Sequence, residues 1–359
     1  MNEFLIDHID PLGQGVHKED ESIFFIPKTL PGESGTFKIL QRKKGVHFGT
    51  ALEVTKISDI RINPECIHFN ECPGCQYLHT SYENELNFKK EAFHRTFKKL
   101  IYNKDALSTI YSDNRHQYRN RIQLHYDRSI PVIGFNDARK KRIVPVPNCI
   151  IMNDRVQKFY QELLGSWLEE SSSHPTKGHV EIYDHKGKVH INWNKSYAAT
   201  GFSQVNIPVN QLMLKEINSL FPNKLAQIVD LFAGAGNITN ALNFEKRICL
   251  DIYPHTENPE EFINTDLYNS ETLPKFLKNL NSQVELLVLD PPRSGFKELN
   301  MWINALKPKN ILYISCSPGT LARDLALIET RFEVQNLALI DLFPGTHHFE
   351  VMTHIKTSF

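Results

Sequence analysis

Cys316 ends an apolar run, Ile311-Leu312-Tyr313-Ile314-Ser315, and is followed by Ser317-Pro318-Gly319-Thr320-Leu321-Ala322-Arg323-Asp324. A buried strand, a turn and a helix start follow in that order, so the thiol belongs at the carboxyl end of a strand. In open α/β sheets that edge is where ligands bind. Two more strand ends carry chemistry. Leu286-Leu287-Val288-Leu289-Asp290 runs into Pro291-Pro292-Arg293-Ser294-Gly295, and Ile228-Val229-Asp230-Leu231-Phe232 into Ala233-Gly234-Ala235-Gly236-Asn237. A nucleophile, a carboxylate fixed before two prolines and a glycine-rich turn on one edge describe an active site.

Each element has a duller reading. A lone strand cysteine is ordinarily an inert core residue. Its place before a helix N-terminus, expected to lower the thiol pKa, favours a nucleophile. Such a thiolate suits uracil, whose C5 is too weak a nucleophile to attack a methyl donor. Addition of sulfur at C6 gives an enolate with carbanion character at C5, and a base must later remove the C5 proton. Glu350, in Phe343-Pro344-Gly345-Thr346-His347-His348-Phe349-Glu350, is the candidate base, placed in the turn between the last two strands. His347 and His348 compete for that role and rank below it.

The glycine turn leaves room for a ligand at its strand end. The next strand closes on Asp251, spaced to bond a ribose hydroxyl. No third glycine stands near Thr239, as a nicotinamide fingerprint would require, so an adenosyl cofactor is expected. The rigid turn Asp290-Pro291-Pro292 is similar to that of nitrogen methyltransferases, but Arg293 replaces their stacking aromatic.

Elements that could hold these groups follow from the pattern. Alternating strands and helices from about residue 201 predict a parallel sheet with crossover helices, its strands near 228–232, 248–252, 284–290, 311–316, 334–342 and 349–355. Residues 1–57 read as four or five short strands, a small β-barrel. Residues 81–100 read as a helix capped by Ser81, and residues 110–200 as paired strands with one helix near 152–169. Cys66, Cys72, Cys75 and Cys149 lie in Pro/Gly/Asn-rich loops. Their spacing allows zinc or an iron–sulfur cluster, with three clustered and one distant cysteine favouring the cluster.

The 359 residues carry 41 Lys+Arg and 41 Asp+Glu, which excludes a wholly basic nucleic-acid coat. Residues 36–150 hold 20 basic against 11 acidic side chains, consistent with a local phosphate-binding face. Arg115, His116, Arg119, Arg121 and Arg139-Lys140-Lys141-Arg142 are its candidates. The acidic start is no signal peptide, and no apolar run approaches the ~20 residues of a membrane helix, so a cytoplasmic protein is expected.

Taken together, these motifs resemble the RNA uracil-C5 methyltransferase family, over nearly the whole chain. The resemblance implies a class I, Rossmann-like domain at 201–359 that binds S-adenosylmethionine, opened by Gly201-Phe202-Ser203-Gln204-Val205-Asn206. It implies a TRAM-like barrel at 1–57 that binds RNA, and a central domain at 58–200 holding a [4Fe–4S] cluster on the four cysteines. Gln204, Phe232, Asn237, Asp251, Asp266 and Asp290 would then surround the cofactor, with Cys316 as nucleophile and Glu350 as proton acceptor. The short, two-proline stretch between Asp251 and Asp266 departs from the family's full helix there. The implied partner is RNA, 23S ribosomal RNA before transfer RNA, with no membrane and no second copy of the chain. The alternatives are a transfer-RNA enzyme, an inactive RNA-binding relative and an amino-group methyltransferase. Intact Cys316, Asp290 and Glu350 count against the inactive relative, and Arg293 against the amino-group enzyme.

Overall fold

The computed structural model describes residues 2–100, 107–196, 204–253, 261–278, 280 and 283–359. Its first sheet has six strands: β1 (Asn2–Leu5), β2 (His8–Ile9), β3 (Gln14–Glu19), β4 (Ser22–Pro27), β5 (Ser34–Lys43) and β6 (Val46–Lys56). Their spatial order is β1-β5-β6-β4-β3-β2, and three register shifts bend β5 against β6. Bulges of this kind increase twist. The sheet curls round Phe4, Ile6, Phe24, Ile26 and Phe37.

Helix α1 (Tyr82–Thr96) starts where Ser81 accepts a hydrogen bond from the Asn84 N–H, an N-cap that satisfies one orphan donor. Leu86, Phe93 and Phe97 form its buried stripe. Strand β7 (Ser108–Ile110) follows, then a five-stranded antiparallel sheet of β8 (Arg121–Asp127), β9 (Val132–Asp137), β10 (Arg142–Val144), β11 (Lys177–His185) and β12 (Lys188–Trp193). Helix α2 (Asp154–Glu170) packs on it through Val156, Tyr160, Leu163 and Trp167.

The remainder is an α/β unit: α3 (Ile207–Leu220), β13 (Leu225–Leu231), β14 (Phe244–Asp251), β15 (Phe262–Asn264), α4 (Thr272–Leu277), β16 (Leu286–Leu289), α5 (Leu299–Leu306), β17 (Asn310–Ser315), α6 (Pro318–Ala326), β18 (Arg331–Ile340) and β19 (Glu350–Ser358). The sheet runs β15-β14-β13-β16-β17-β19-β18-β7. Two apolar clusters sandwich it, one around Trp302, Phe296 and Tyr313 and the other around Met213, Leu312 and Met352.

The expected all-parallel sheet is corrected here. Strand β19 inserts between β17 and β18 and is antiparallel to both. Its link from β18 is a nine-residue turn, 341–349, too short for a crossover helix, so the chain must fold straight back. That reversal brings the start of β19 to the carboxyl edge of β17, which positions the site.

Candidate active site and its surroundings

The antiparallel register pairs Ser315 with Val351, so the next residues outward, Cys316 and Glu350, face one another across the strand ends. Glu350 is the first residue of β19 rather than part of the turn, and it is buried with Oε2 lacking any protein partner. Asp290 ends the neighbouring β16. Burial, and then the charge of Asp290, hold the Glu350 carboxyl well above the usual carboxylate range; burial raises Asp290 likewise. Each carboxyl on this edge makes ionisation of the other less favourable.

Cys316 is only partly buried, and its thiol is pushed up to about 11. Burial is the main cause, followed by the charges of Glu350 and Asp290. The helix that starts after Cys316 does not bring the thiol below its ordinary range. Arg293 opposes the shift, and it lines the same cavity as the sulfur. Sequence reasoning singled out Arg293 only for what it replaces. Its place four residues past a buried strand, on the nucleophile's edge, was the available signal.

Cys316, Arg293, His347, His348 and Phe349 line a cavity of about 340 Å³. The His347 and His348 ring centroids are 3.9 Å apart. Burial, together with nearby cations and, for His348, the adjoining ring, drops them to about 4 and about 3 respectively, so both are neutral near pH 7. The turn that carries them is clamped from several sides. Gln76 Oε1 accepts from the His347 N–H at 3.0 Å, and the N–H groups of Gln76 and Tyr77 donate to Gly345 O at 2.8 and 3.1 Å. Buried Lys89 donates to Glu85 and Asp341 at 2.7 and 2.8 Å, and Glu85 accepts from the Gly345 N–H at 2.7 Å. Gly345 has φ +82, the left-handed region that glycine occupies without strain. The Glu85–Lys89 pair at helical spacing reads from sequence as a surface pair, which is why its role was missed.

The cofactor candidates lie along the other half of the same edge. Phe232 (φ 61), Gly234 (φ 52) and Gly236 (φ 72) turn the backbone sharply after β13. A Cβ added at Gly234 would meet nothing within 4 Å, so there is open room above the turn. Asp251 accepts from the Gly234 N–H and the Tyr253 N–H, both at 2.9 Å, fixing the two strand ends together. Phe232 packs edge-on against Phe296, at 5.0 Å between centroids, and near Tyr268 at 5.8 Å. Asn237 exchanges hydrogen bonds with Asn210, and Asp266 is exposed with its carboxylate accepting from the Tyr268 N–H at 2.9 Å. The buried backbone carbonyl of Gln204 accepts from Asn120. Residues 201–203 of the opening motif and 254–260 of the short stretch lie outside the described residues. A glycine turn with open space and an acid on the adjacent strand suits an adenosyl group.

The profile of the tRNA (Uracil-5-)-methyltransferase family matches residues 275–357, the stretch that holds Asp290, Cys316 and Glu350. Over nearly its full length the chain is 25% identical to a 23S rRNA (uracil(1939)-C(5))-methyltransferase of Shewanella woodyi, covering 98% of this chain and 95% of that protein. The chain is similar to RNA uracil-C5 methyltransferases over nearly its whole length. Another relative is an uncharacterized RNA methyltransferase of Leptospira interrogans, 27% identical over 96% of this chain and 92% of the relative. The fold is shared with the tRNA (uracil-54, C5)-methyltransferase of Pyrococcus abyssi, solved with S-adenosyl-L-homocysteine: TM-score 0.70, 18% identity, 98% and 99% coverage.

Cys66, Cys72, Cys75 and Cys149 are all free, and each of Cys72, Cys75 and Cys149 feels the charge of others in the set. Burial raises Cys149 to about 11 and Cys75 well above the usual thiol range. Among the described residues no group of three or more His, Cys, Asp or Glu is arranged to hold a metal ion. A cubane keeps its four thiolates on separate corners, so it needs a looser all-sulfur set than a single ion does. The donor chemistry fits such a cluster, and Lys28, which donates to the Cys72 carbonyl at 2.9 Å, would offset part of its negative charge.

The expected phosphate-binding face is smaller than the sequence indicates. Arg115 is buried against Glu65 and Glu85, and His116 also bonds Glu65. Arg121 is buried on Glu181 and stacks on Tyr183, while Arg119 donates to the Arg121 carbonyl. Arg121 thus ties β8 to β11, while Arg115 ties the cysteine loop to α1. Arg139, Lys140 and Lys141 are exposed at the β9–β10 hairpin tip, with Arg142 paired to Glu71. No helix among the described residues is long and apolar enough to cross a membrane.

Proposed function

We propose that this chain methylates C5 of uridine in RNA, using S-adenosylmethionine and a covalent protein–RNA intermediate formed by Cys316. The observation that carries the reading is the register of β17 on β19, which ends with Ser315 on Val351 and so brings Cys316 and Glu350 to one edge, beside the end of β16 and Asp290. Bound S-adenosylmethionine supplies an electrophilic methyl group. Cys316 loses its thiol proton to solvent, the Arg293 charge favouring the thiolate, and the sulfur adds to C6 of an unstacked uracil and makes C5 nucleophilic. After C5 gains the methyl group, Glu350 takes the C5 proton. The electrons of that C–H bond reform the C5–C6 double bond as sulfur leaves C6. A buried carboxylate with one free oxygen is poised to take that proton.

Phe232, Asn237, Asp251, Asp266 and Gln204 would border the cofactor, with Asp251 toward the ribose and Phe232 against the ligand. Residues 1–57 and the Arg139–Lys141 tip would grip RNA, and 58–200 would join them to the catalytic domain at 201–359. Full-length likeness to 23S rRNA enzymes favours ribosomal RNA as substrate. Six free cysteines suit a reducing compartment such as the cytoplasm. Cys66, Cys72, Cys75 and Cys149 would hold a [4Fe–4S] cluster whose role is structural, since the loop they pin clamps the Gly345 turn.

Two measurements test this. Nucleoside analysis of ribosomal and transfer RNA from a deletion strain should show 5-methyluridine lost from 23S rRNA; unchanged content in both RNAs contradicts the function. Anaerobically purified protein should be brown and contain iron, and stoichiometric zinc without iron contradicts the cluster.

A further inference from the structure

The turn between β2 and β3 belongs to the N-terminal sheet, yet Pro11 and Leu12 line the same cavity as Cys316. Leu12 is 50% exposed. Single exposed leucines are ordinary on surfaces; this one is held unusually firmly. The buried Asp10 carboxylate accepts from the Leu12 N–H at 3.0 Å, the Gln14 N–H at 2.7 Å and Gln14 Nε2 at 2.9 Å. The Gly13 N–H donates to Asp10 O at 3.0 Å, and Arg95 of α1 donates to Ile9 O at 2.7 Å. Gly13 sits at φ +72, and a Cβ there would stand 2.8 Å from Gln76 Cβ and 3.2 Å from His347 Cβ. The turn is thus pressed onto the loop that leads into Glu350.

A pyrimidine presents apolar faces and a polar rim, so its pocket needs an apolar wall and polar groups at the edge. The cavity has both: Pro11, Leu12 and Phe349 are apolar, while Arg293, Ser317 and His347 are polar. Its volume of about 340 Å³ falls within the range of small-molecule sites. A base pulled from its stack loses stacking energy that must be replaced inside the protein.

We infer that Pro11 and Leu12 form the apolar wall holding an unstacked pyrimidine nucleotide of single-stranded RNA beside Cys316. The N-terminal sheet then completes the substrate pocket as well as gripping RNA at a distance. The inference rests on the uridine-methylation reading. Leu12 acts on binding of the nucleotide and takes no part in bond making.

The test uses the full-length protein and an RNA oligonucleotide carrying 4-thiouridine at the target position. Photo-crosslinking to the wild-type chain should place the adduct on the peptide containing residues 10–14. In methyl-transfer assays with the unmodified RNA, Leu12→Ala should raise KM for RNA about tenfold, and Leu12→Asp more. Turnover at saturation and S-adenosylmethionine affinity should stay within about threefold of wild type. Leu168→Ala, a similarly exposed leucine on α2, should match wild type. Crosslinks mapping elsewhere, or both Leu12 variants keeping the wild-type KM, would overturn the wall. A crosslink on the turn from a wild-type protein that transfers no methyl group would support the wall and sink the methylation reading instead.

Discussion

The two halves of the catalytic sheet edge are built on opposite principles. On the cofactor half, Gly234, Asn237 and Asp266 face solvent, and Asp251 spends its oxygens on backbone N–H groups that shape the turn. On the nucleophile half, Asp290, Glu350 and Cys316 are crowded together, and each is pushed toward its protonated form. An open, prebonded half suits a small molecule that must come and go each cycle. A desolvated half strengthens every electrostatic interaction within it and keeps water from the intermediate. Binding and chemistry are therefore separable by mutation, although only a few strand spacings divide them.

That separation sets an order of expected effects. Cys316→Ala should remove at least about a thousandfold of turnover, while S-adenosylmethionine affinity by calorimetry stays within about twofold of wild type. A loss of cofactor binding in that variant would merge the two halves. Asp251→Ala should do the reverse, weakening cofactor binding about tenfold, or about 1.4 kcal/mol. At saturating cofactor it should leave turnover within about threefold; a turnover loss that extra cofactor does not rescue would show that Asp251 serves the chemistry.

The smallest effect is on stability. Glu350 and Asp290 have folded-state pKa values above their unfolded ones, so the fold favours their protonated forms. Their stabilising contribution is complete below the ordinary carboxylate range of about 4. It is lost as pH rises through the raised values, past neutrality. Glu350→Gln cannot ionise, and should therefore exceed wild type in Tm by about 2–4 °C at pH 8, with the advantage disappearing at pH 4. A Tm difference independent of pH would show that the Glu350 carboxyl is not desolvated.

Much of this was legible in the residues. The Ser81 cap, the strand that ends at Cys316 and the glycine turn after β13 are local signals, and local signals fix local structure. The pairing of Cys316 with Glu350 depends on β19 folding back antiparallel. That follows from the short 341–349 connection, which a pattern of alternating elements does not disclose. The charge on Arg115 and Arg121 was visible, but their burial against Glu85 and Glu181 is a property of packing across distant segments. The same holds for the thiol. A helix start after Cys316 is written in Ser317-Pro318-Gly319, whereas the burial that raises the thiol, and the two carboxylates that add to it, arise from packing at the ends of β16 and β19.

The central claim is that sulfur bonds to the base before Glu350 removes the C5 proton. Its most direct measurement is peptide mapping of Glu350→Gln protein after incubation with uridine-containing RNA and S-adenosylmethionine. The account predicts a denaturant-resistant adduct in which Cys316 carries a methylated uracil nucleotide, because addition and methylation proceed while proton removal stalls. The wild-type chain should give the same linkage with 5-fluorouridine RNA, since fluorine cannot leave as a cation. An adduct mapped to another cysteine would contradict the account, as would Glu350→Gln turning over at the wild-type rate with no adduct at all.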